Sequence, residues 1–156
     1  MAGLASRART LLRLQTDPRT LVLANVWDVT SARVVAATQG TGALATASHA
    51  VAASLGYEDG ERIPLELHLD VVRRITATVD LPVSVDMEAG YGDPGGTAAR
   101  AIAAGAVGGN LEDAVRPLDE AVAAVGEVLA ALTALQDATA ALLAGGVLPP
   151  GTRLLS

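Results

Sequence analysis

Apolar positions along this chain alternate between a helical rhythm and short unbroken runs. Leu4, Ala8, Leu11 and Leu12 form one stripe of a helix over residues 2–15, which the turn-forming Asp17-Pro18 ends. A run over 21–24 predicts the first strand, stopping at Asn25. Thr30 or Ser31 then caps a helix that reaches Gln39 and stops at Gly40. Residues 43–46 predict a second strand, followed by a Gly-rich loop over 54–60. Pro64 opens a helix in which Leu65, Leu69, Val72, Ile75 and Val79 recur at helical spacing. Residues 81–85 predict a third strand, and Gly95-Gly96-Thr97 leads into a helix ending near Ala104. The fourth strand falls at 107–111, weakened by two glycines. Beyond it the pattern turns purely helical. Leu118, Val122, Val125, Leu129, Leu132, Leu135 and Leu142 make one stripe, preceded by Arg116-Pro117 and closed by Gly145-Gly146 and Pro149-Pro150.

Strands alternating with helices over short connections are the signature of parallel βα units with right-handed crossovers, so the fold class is α/β. A boundary near Val115 separates the βα region, residues 1–115, from a C-terminal helical segment, residues 116–156. Four units leave an open sheet edge, and the last apolar stripe is longer than they need for cover. Self-association into a homo-oligomer is therefore expected.

Charge and composition narrow the chemistry. The formal net charge is -6, which argues against nucleic acid or an anionic membrane surface as partner, because both demand clustered positive charge. With no cysteine there is no disulfide framework, thiolate metal site or cysteine nucleophile, so any metal must take oxygen ligands. Asp, Glu, Arg or Gly interrupts each apolar stretch before it reaches membrane-spanning length, and a soluble cytoplasmic protein is expected. The hydrophobic content comes almost wholly from Ala, Val and Leu, which suits closely packed α/β layers.

Acids gather where the predicted strands end: Asp86 and Glu88 after the third, Glu112 and Asp113 after the fourth, and Asp59 in the loop after the second. In a parallel barrel these ends converge on one mouth, where active sites sit. Asp86 and Glu88, two apart, point to one side of a strand. Crowded carboxylates repel unless a divalent cation neutralises them, and an oxygen-only set suits Mg²⁺ or Mn²⁺. Asp86 is the expected direct ligand, with Asp59, Glu88 and Glu112 reaching the metal through water. His49 follows Ser48 near the mouth and reads as a helix-start or hydrogen-bonded histidine. His68 lies on a helix and is expected to be solvent-exposed. Gly90, Gly92, Gly95 and Gly96 lack nucleotide-loop spacing and are expected to give their loop mobility.

The words surrounding these acids carry a resemblance. Asn25-Val26-Trp27-Asp28, Thr46-Ala47-Ser48, Gly56-Tyr57-Glu58-Asp59-Gly60, the run from Val85 to Asp93, and Gly105 to Asp113 occur in the order and rough spacing of the isocitrate lyase/phosphoenolpyruvate mutase superfamily. Residues 1 to about 116 resemble it. The resemblance implies a (β/α)₈ TIM-type barrel, here partial, with about four βα units plus the C-terminal helical segment. It implies Mg²⁺ chelated by the carboxylate and oxo group of a small 2-oxo acid, and metal-stabilised enolate formation serving C–C cleavage in the lyases and P–C transfer in the mutases. On that likeness Asp86 matches the direct ligand and Asp59, Glu88 and Glu112 the water-mediated acids. Ser48 matches the substrate-carboxylate site and Trp27 the pocket wall. Family members also exchange C-terminal helices between subunits.

Two departures stand against this. The lyases carry a Lys-Lys-Cys-Gly-His loop, and this chain has neither Lys nor Cys. An Arg-Thr-Asp segment on the later strands, which binds the substrate's second anionic group, is also missing. A full barrel takes about 250 residues, so about 100 are lacking. Arg33, Arg62, Arg100 and Arg116 are the substitutes at hand, with Arg116 the best placed. Two readings follow: a Mg²⁺-dependent lyase or phosphomutase, or an internally deleted, catalytically impaired relative that keeps the metal site and acts as an assembly protein.

Overall fold

The computed structural model describes residues 3–143 of the chain. Its elements run α1 (Leu4–Thr16), β1 (Ala24–Val26), α2 (Val29–Ala36), β2 (Leu44–Thr46), α3 (Ser48–Ser54), α4 (Leu65–Thr78), β3 (Val83–Asp86), α5 (Pro94–Ala103), β4 (Gly108–Asn110) and α6 (Leu118–Leu143). The strands form one parallel sheet in the order β1-β2-β3-β4. Sequential order with crossovers of one hand puts the connecting helices on one face, as in a barrel wall.

Every expected strand and helix is present, with shifted limits. β1 and β3 start two or three residues later than their apolar runs, because pairing begins only where a neighbour exists: Ala24 lies opposite Leu44, and Leu44 opposite Val83. The helix after β1 is capped by Asp28 rather than Thr30 or Ser31. Its carboxylate accepts from Ser31 N at 2.6 Å, and the Ser31 hydroxyl accepts from Asp28 N at 3.1 Å, which closes a capping box. A further helix, α3, begins at Ser48, in keeping with the reading of His49 as a helix-start residue, and runs to the loop expected from Ser54. α6 runs over the predicted span as one helix; the Leu142 side chain, Gly145-Gly146 and Pro149-Pro150 lie outside the described residues.

The capping box makes a pH-dependent contribution. The Ser31 amide, then its hydroxyl, hold the Asp28 carboxyl below its ordinary range. A depressed carboxyl stabilises the fold above the ordinary carboxylate range, and that stability is lost as pH falls through the lowered value. Asp28→Ala should cost about 1 kcal/mol near neutral pH and lower the melting temperature by about 2–4 °C. Thermal melts of both proteins should converge toward acid; a constant gap at all pH values would count against the carboxylate as the cap.

Small residues let the layers approach. Leu69, Val72, Val85, Met87, Ala98, Ala101, Ala104 and Ala106 form one cluster between α4, β3 and α5. Val26, Ala32, Leu44, Ile75, Val79 and Val83 form a second between α2, α4 and the sheet. α1 crosses the opposite margin: Leu11 presses on Gly108 and Leu14 on Gly42, both at strand starts, while Arg7 Nη1 donates to Thr76 O at 2.9 Å. A Cβ on Gly108 would stand 2.6 Å from Leu11 Cδ2, so the glycine that weakened the fourth strand is what admits α1. With the strand starts covered by α1, the strand ends are left for chemistry. Among the described residues no helix is long and apolar enough to cross a membrane.

Candidate metal and acid site

Asp86 is the last residue of β3 and lies in register with Asn110 of β4. Its amide donates to Thr46 Oγ1 on β2 at 3.0 Å, which ties three strand ends together at one residue. Its carboxylate accepts from Ser48 N at 3.1 Å, Ser48 Oγ at 2.7 Å, Glu88 N at 3.2 Å and Asn110 Nδ2 at 3.0 Å. Burial alone pushes this carboxyl up. The Ser48 hydroxyl and amide, the Glu88 amide and the Asn110 amide together outweigh burial and hold it below its ordinary range. Asp86 is thus a fixed, partly buried carboxylate.

Its neighbours are acids in the opposite condition. Glu88 is buried, and burial pushes its carboxyl up against the hydrogen bonds of Tyr91 and Glu61, with the charge of Asp59 adding to the rise. Glu112 is also raised, by burial first and then by the charges of Asp86, Asp59, Asp113 and Glu61. Its amide donates to Glu88 O at 2.7 Å, so the chain after β4 is laced to the chain after β3. Asp59 is exposed, with His49 Nδ1 at 3.7 Å.

Two residues absent from the sequence reading complete this cluster. Glu61 N donates to Glu88 Oε2, Tyr91 N donates to Glu61 Oε1 at 2.6 Å, and Tyr91 OH donates to Glu88 Oε1 at 2.9 Å. Glu61, Glu88 and Tyr91 all take left-handed backbone, at φ 61°, 49° and 53°. These bonds hold the loop before α4 against the loop after β3. Asn110 was also passed over, although its place two residues before Glu112 gave a signal. Glu61 and Tyr91 gave none, because their link depends on the fold.

His68 corrects an expectation: it is buried, with its ring centroid 6.1 Å from that of Tyr91. Burial lowers its pKa, against the charge of Asp86. Ser48 meets Asp86 directly, whereas Trp27 stands exposed at the end of β1, its amide donating to Ser31 Oγ at 3.0 Å. Of the arginines, Arg100 pairs with Glu66 on α4, and Arg116 Nη2 donates to Ala89 O at 3.1 Å. Two open clefts flank α6, one of about 420 Å³ lined by Glu61, Arg116 and Glu127 among others and one of about 280 Å³ lined by Leu111 and Val122. Asp86 lines neither.

As a donor set, this cluster fits a hard divalent cation. It offers one pinned carboxylate with raised, mutually repelling acids around it, and no cysteine. Among the described residues no three acidic or histidine side chains form a ready-made cage.

Four parallel strands in sequential order, with helices between them and acids at their ends, define an α/β protein built as part of a barrel wall. The family model for phosphoenolpyruvate phosphomutase matches residues 11–145, and the chain belongs to that family. Among solved structures it is 43% identical to a Burkholderia cenocepacia protein assigned as a phosphonomutase, with a TM-score of 0.77 over 82% of this chain and 56% of that one. It is 26% identical to 2,3-dimethylmalate lyase, a PEP mutase/isocitrate lyase superfamily member, with a TM-score of 0.75 over 87% of this chain and 51% of that one. To oxaloacetate acetylhydrolase bound to 3,3-difluorooxalacetate it is also 26% identical, with a TM-score of 0.76 over 84% and 50%. The chain thus spans about half the length of these relatives. No curated protein sequence matches it at a significant level.

Proposed function

We propose that this chain binds Mg²⁺ or Mn²⁺ together with a small 2-oxo acid at its strand ends, the site of enolate chemistry in a C–C lyase or P–C mutase. The observation that carries the proposal is the contrast between Asp86, held ionised by four donors, and Glu88 and Glu112, pushed toward protonation beside it. Asp86 would hold the ion directly, with Asp59, Glu88 and Glu112 through water. The bound ion would supply electrostatic stabilisation of developing enolate charge. Ser48, whose amide and hydroxyl already converge on one carboxylate, has the donors to bind a substrate carboxylate beside it, and Trp27 would wall the pocket. The Glu61–Glu88–Tyr91 lattice would hold Glu88 in place while ligands exchange.

A second reading has its own observation. α6 follows β4 after seven residues, and the nearby cations are engaged elsewhere, Arg116 on Ala89 O and Arg100 on Glu66. This favours a chain that keeps the metal site and lacks a working contact for the substrate's distal anion. Thermal melts with and without Mg²⁺ test what the readings share, since a ligand bound only by the native state raises stability by RT ln(1 + [L]/Kd). The wild type should shift upward and Asp86→Ala should not. An equal shift in both would remove Asp86 from the site.

A further inference from the structure

The two margins of the sheet differ in a matched way. On one side stand β4 and α6. Ala124 and Val128 of α6 face the rest of the molecule, and Gly95 lies under the Glu127 carbonyl where α5 and α6 meet. The other face of α6 presents Leu118, Val122, Val125, Leu129 and Leu132, which are 80%, 62%, 51%, 59% and 39% exposed. Between that stripe and the end of β4 lies the cleft of about 280 Å³, lined by Leu111, Leu118, Ala121, Val122 and Val125. On the other side stand β1 and α2, with Val22 77% and Val34 64% exposed. Charge differs between the two helices that would meet: α2 carries Arg33 as its one charged residue, whereas α6 carries Asp119, Glu120 and Glu127 and no arginine or lysine.

Strand geometry says what could join such margins. Turning a four-stranded parallel sheet by 180° about an axis along its strands leaves strand direction unchanged. β4 of one copy can then run parallel to β1 of a second, while β4 of the second meets β1 of the first. Both junctions are identical, and the two copies close eight strands, the number a barrel of this kind needs. Closure removes both open edges at once and sets the apolar stripe of α6 against the α2 side of the other copy.

We propose that a second copy of this chain docks edge to edge in this way, β4 and α6 of each copy against β1 and α2 of the other, to form a two-fold, eight-stranded barrel. The competing arrangement is α6 against α6, which the heptad-like spacing of the stripe would also allow. Charge decides against it: α6 carries Asp119, Glu120 and Glu127 and no cation, so self-pairing sets like charges together, whereas on α2 it would meet Arg33. Closure does place two acidic mouths at one end. That repulsion acts across the width of the barrel, whereas the α2 and α6 charges would meet at the junction itself. The inference stands apart from the metal reading, since it uses no residue of the acid cluster as an anchor.

The absence of cysteine makes the test direct. Arg33→Cys on α2 and Gly126→Cys beside the α6 stripe are exposed positions, and a Cβ at 126 meets nothing within 4 Å. Within one chain the two lie on opposite margins of the sheet, beyond the reach of a disulfide, which needs Cα atoms within about 7 Å. The double variant should form an interchain disulfide under mild oxidation and neither single variant should. Light scattering on the 156-residue chain at tens of micromolar should give a dimer mass, and Val34→Asp and Leu129→Asp should each give monomers with unchanged circular dichroism. A monomeric wild type would overturn the proposal. So would a dimer that survives Val34→Asp while Gly126→Cys alone cross-links, since that result is the α6 pair.

Discussion

Gly90→Ala should lower the melting temperature by about 6–12 °C, whereas Gly92→Ala, two residues on, should lower it by only a few degrees. Both glycines take left-handed backbone, at φ +95° and +75°, and forcing alanine into such a conformation costs about 1–3 kcal/mol. At Gly92 that is the whole penalty, because a Cβ there meets nothing within 4 Å. At Gly90 the new carbon would stand 2.8 Å from Pro94 Cα, a backbone atom at the start of α5 that cannot step aside without moving the helix. Overpacking of this kind adds about 1–3 kcal/mol, and together the effects come to about 3 kcal/mol, at roughly 2–4 °C per kcal/mol for a chain of this size. Gly90 also accepts from the Asp93 amide and from Thr97 Oγ1 at 2.9 Å, so its displacement reaches Tyr91 and hence Glu88. Differential scanning calorimetry of the two variants decides the matter; equal losses would mean that the contact with Pro94 relaxes freely.

That loop also shows where sequence reading reached its limit. The run from Val85 to Asp93 was legible as an acidic strand end with a glycine-rich continuation, since strand period and turn residues are local properties. The reason Gly90 must be glycine is the approach of Pro94, a close contact that depends on how α5 leaves the loop. The expectation that these glycines give mobility meets a turn fixed by Glu61, Tyr91 and Thr97. α6 starts where predicted because its opening signals are all of one kind, a long stripe preceded by Arg116-Pro117, while its expected close at Gly145-Gly146 lies outside the described residues. α3 was signalled only by His49 as a helix-start residue, because seven residues show barely two turns of periodicity and its N-cap, Ala47, makes no side-chain bond. His68 was misjudged although the pattern contained the answer: it precedes Val72 by four residues and Ile75 by seven, on the buried stripe of α4. Its polarity was allowed to outweigh its position. The acids were the most readable part of the site, because each follows a strand. How they differ in ionisation was not readable, since it depends on donors from Ser48 and Asn110 brought together by β2 and β4.

The last expectation concerns turnover. With oxaloacetate, 2-methylisocitrate or phosphonopyruvate as substrate and Mg²⁺ present, this chain should form oxalate and acetate, pyruvate and succinate, or phosphoenolpyruvate, respectively, at least about 100-fold more slowly than the ordinary range of about 1 to 10³ s⁻¹. Enolate chemistry needs developing negative charge stabilised where it forms, and the scissile bond held in line by a second fixed contact. A divalent ion held by the acid cluster would answer the first need. For the second, a cation must reach the distal anion of the substrate, and the structure commits the candidates otherwise. Arg100 is paired with Glu66, and Arg116 is drawn to the Ala89 carbonyl. Arg33 lies on α2, on the helix layer rather than at the strand ends, and Arg62 precedes α4. Pairing two copies does not change this result, because a second set of the same four strands brings the same acids and the same arginines to the mouth. Asp86→Ala serves as the blank in each assay. A rate in the ordinary range that disappears in that variant would show that one of these arginines, or a group on the second copy, completes the site after all.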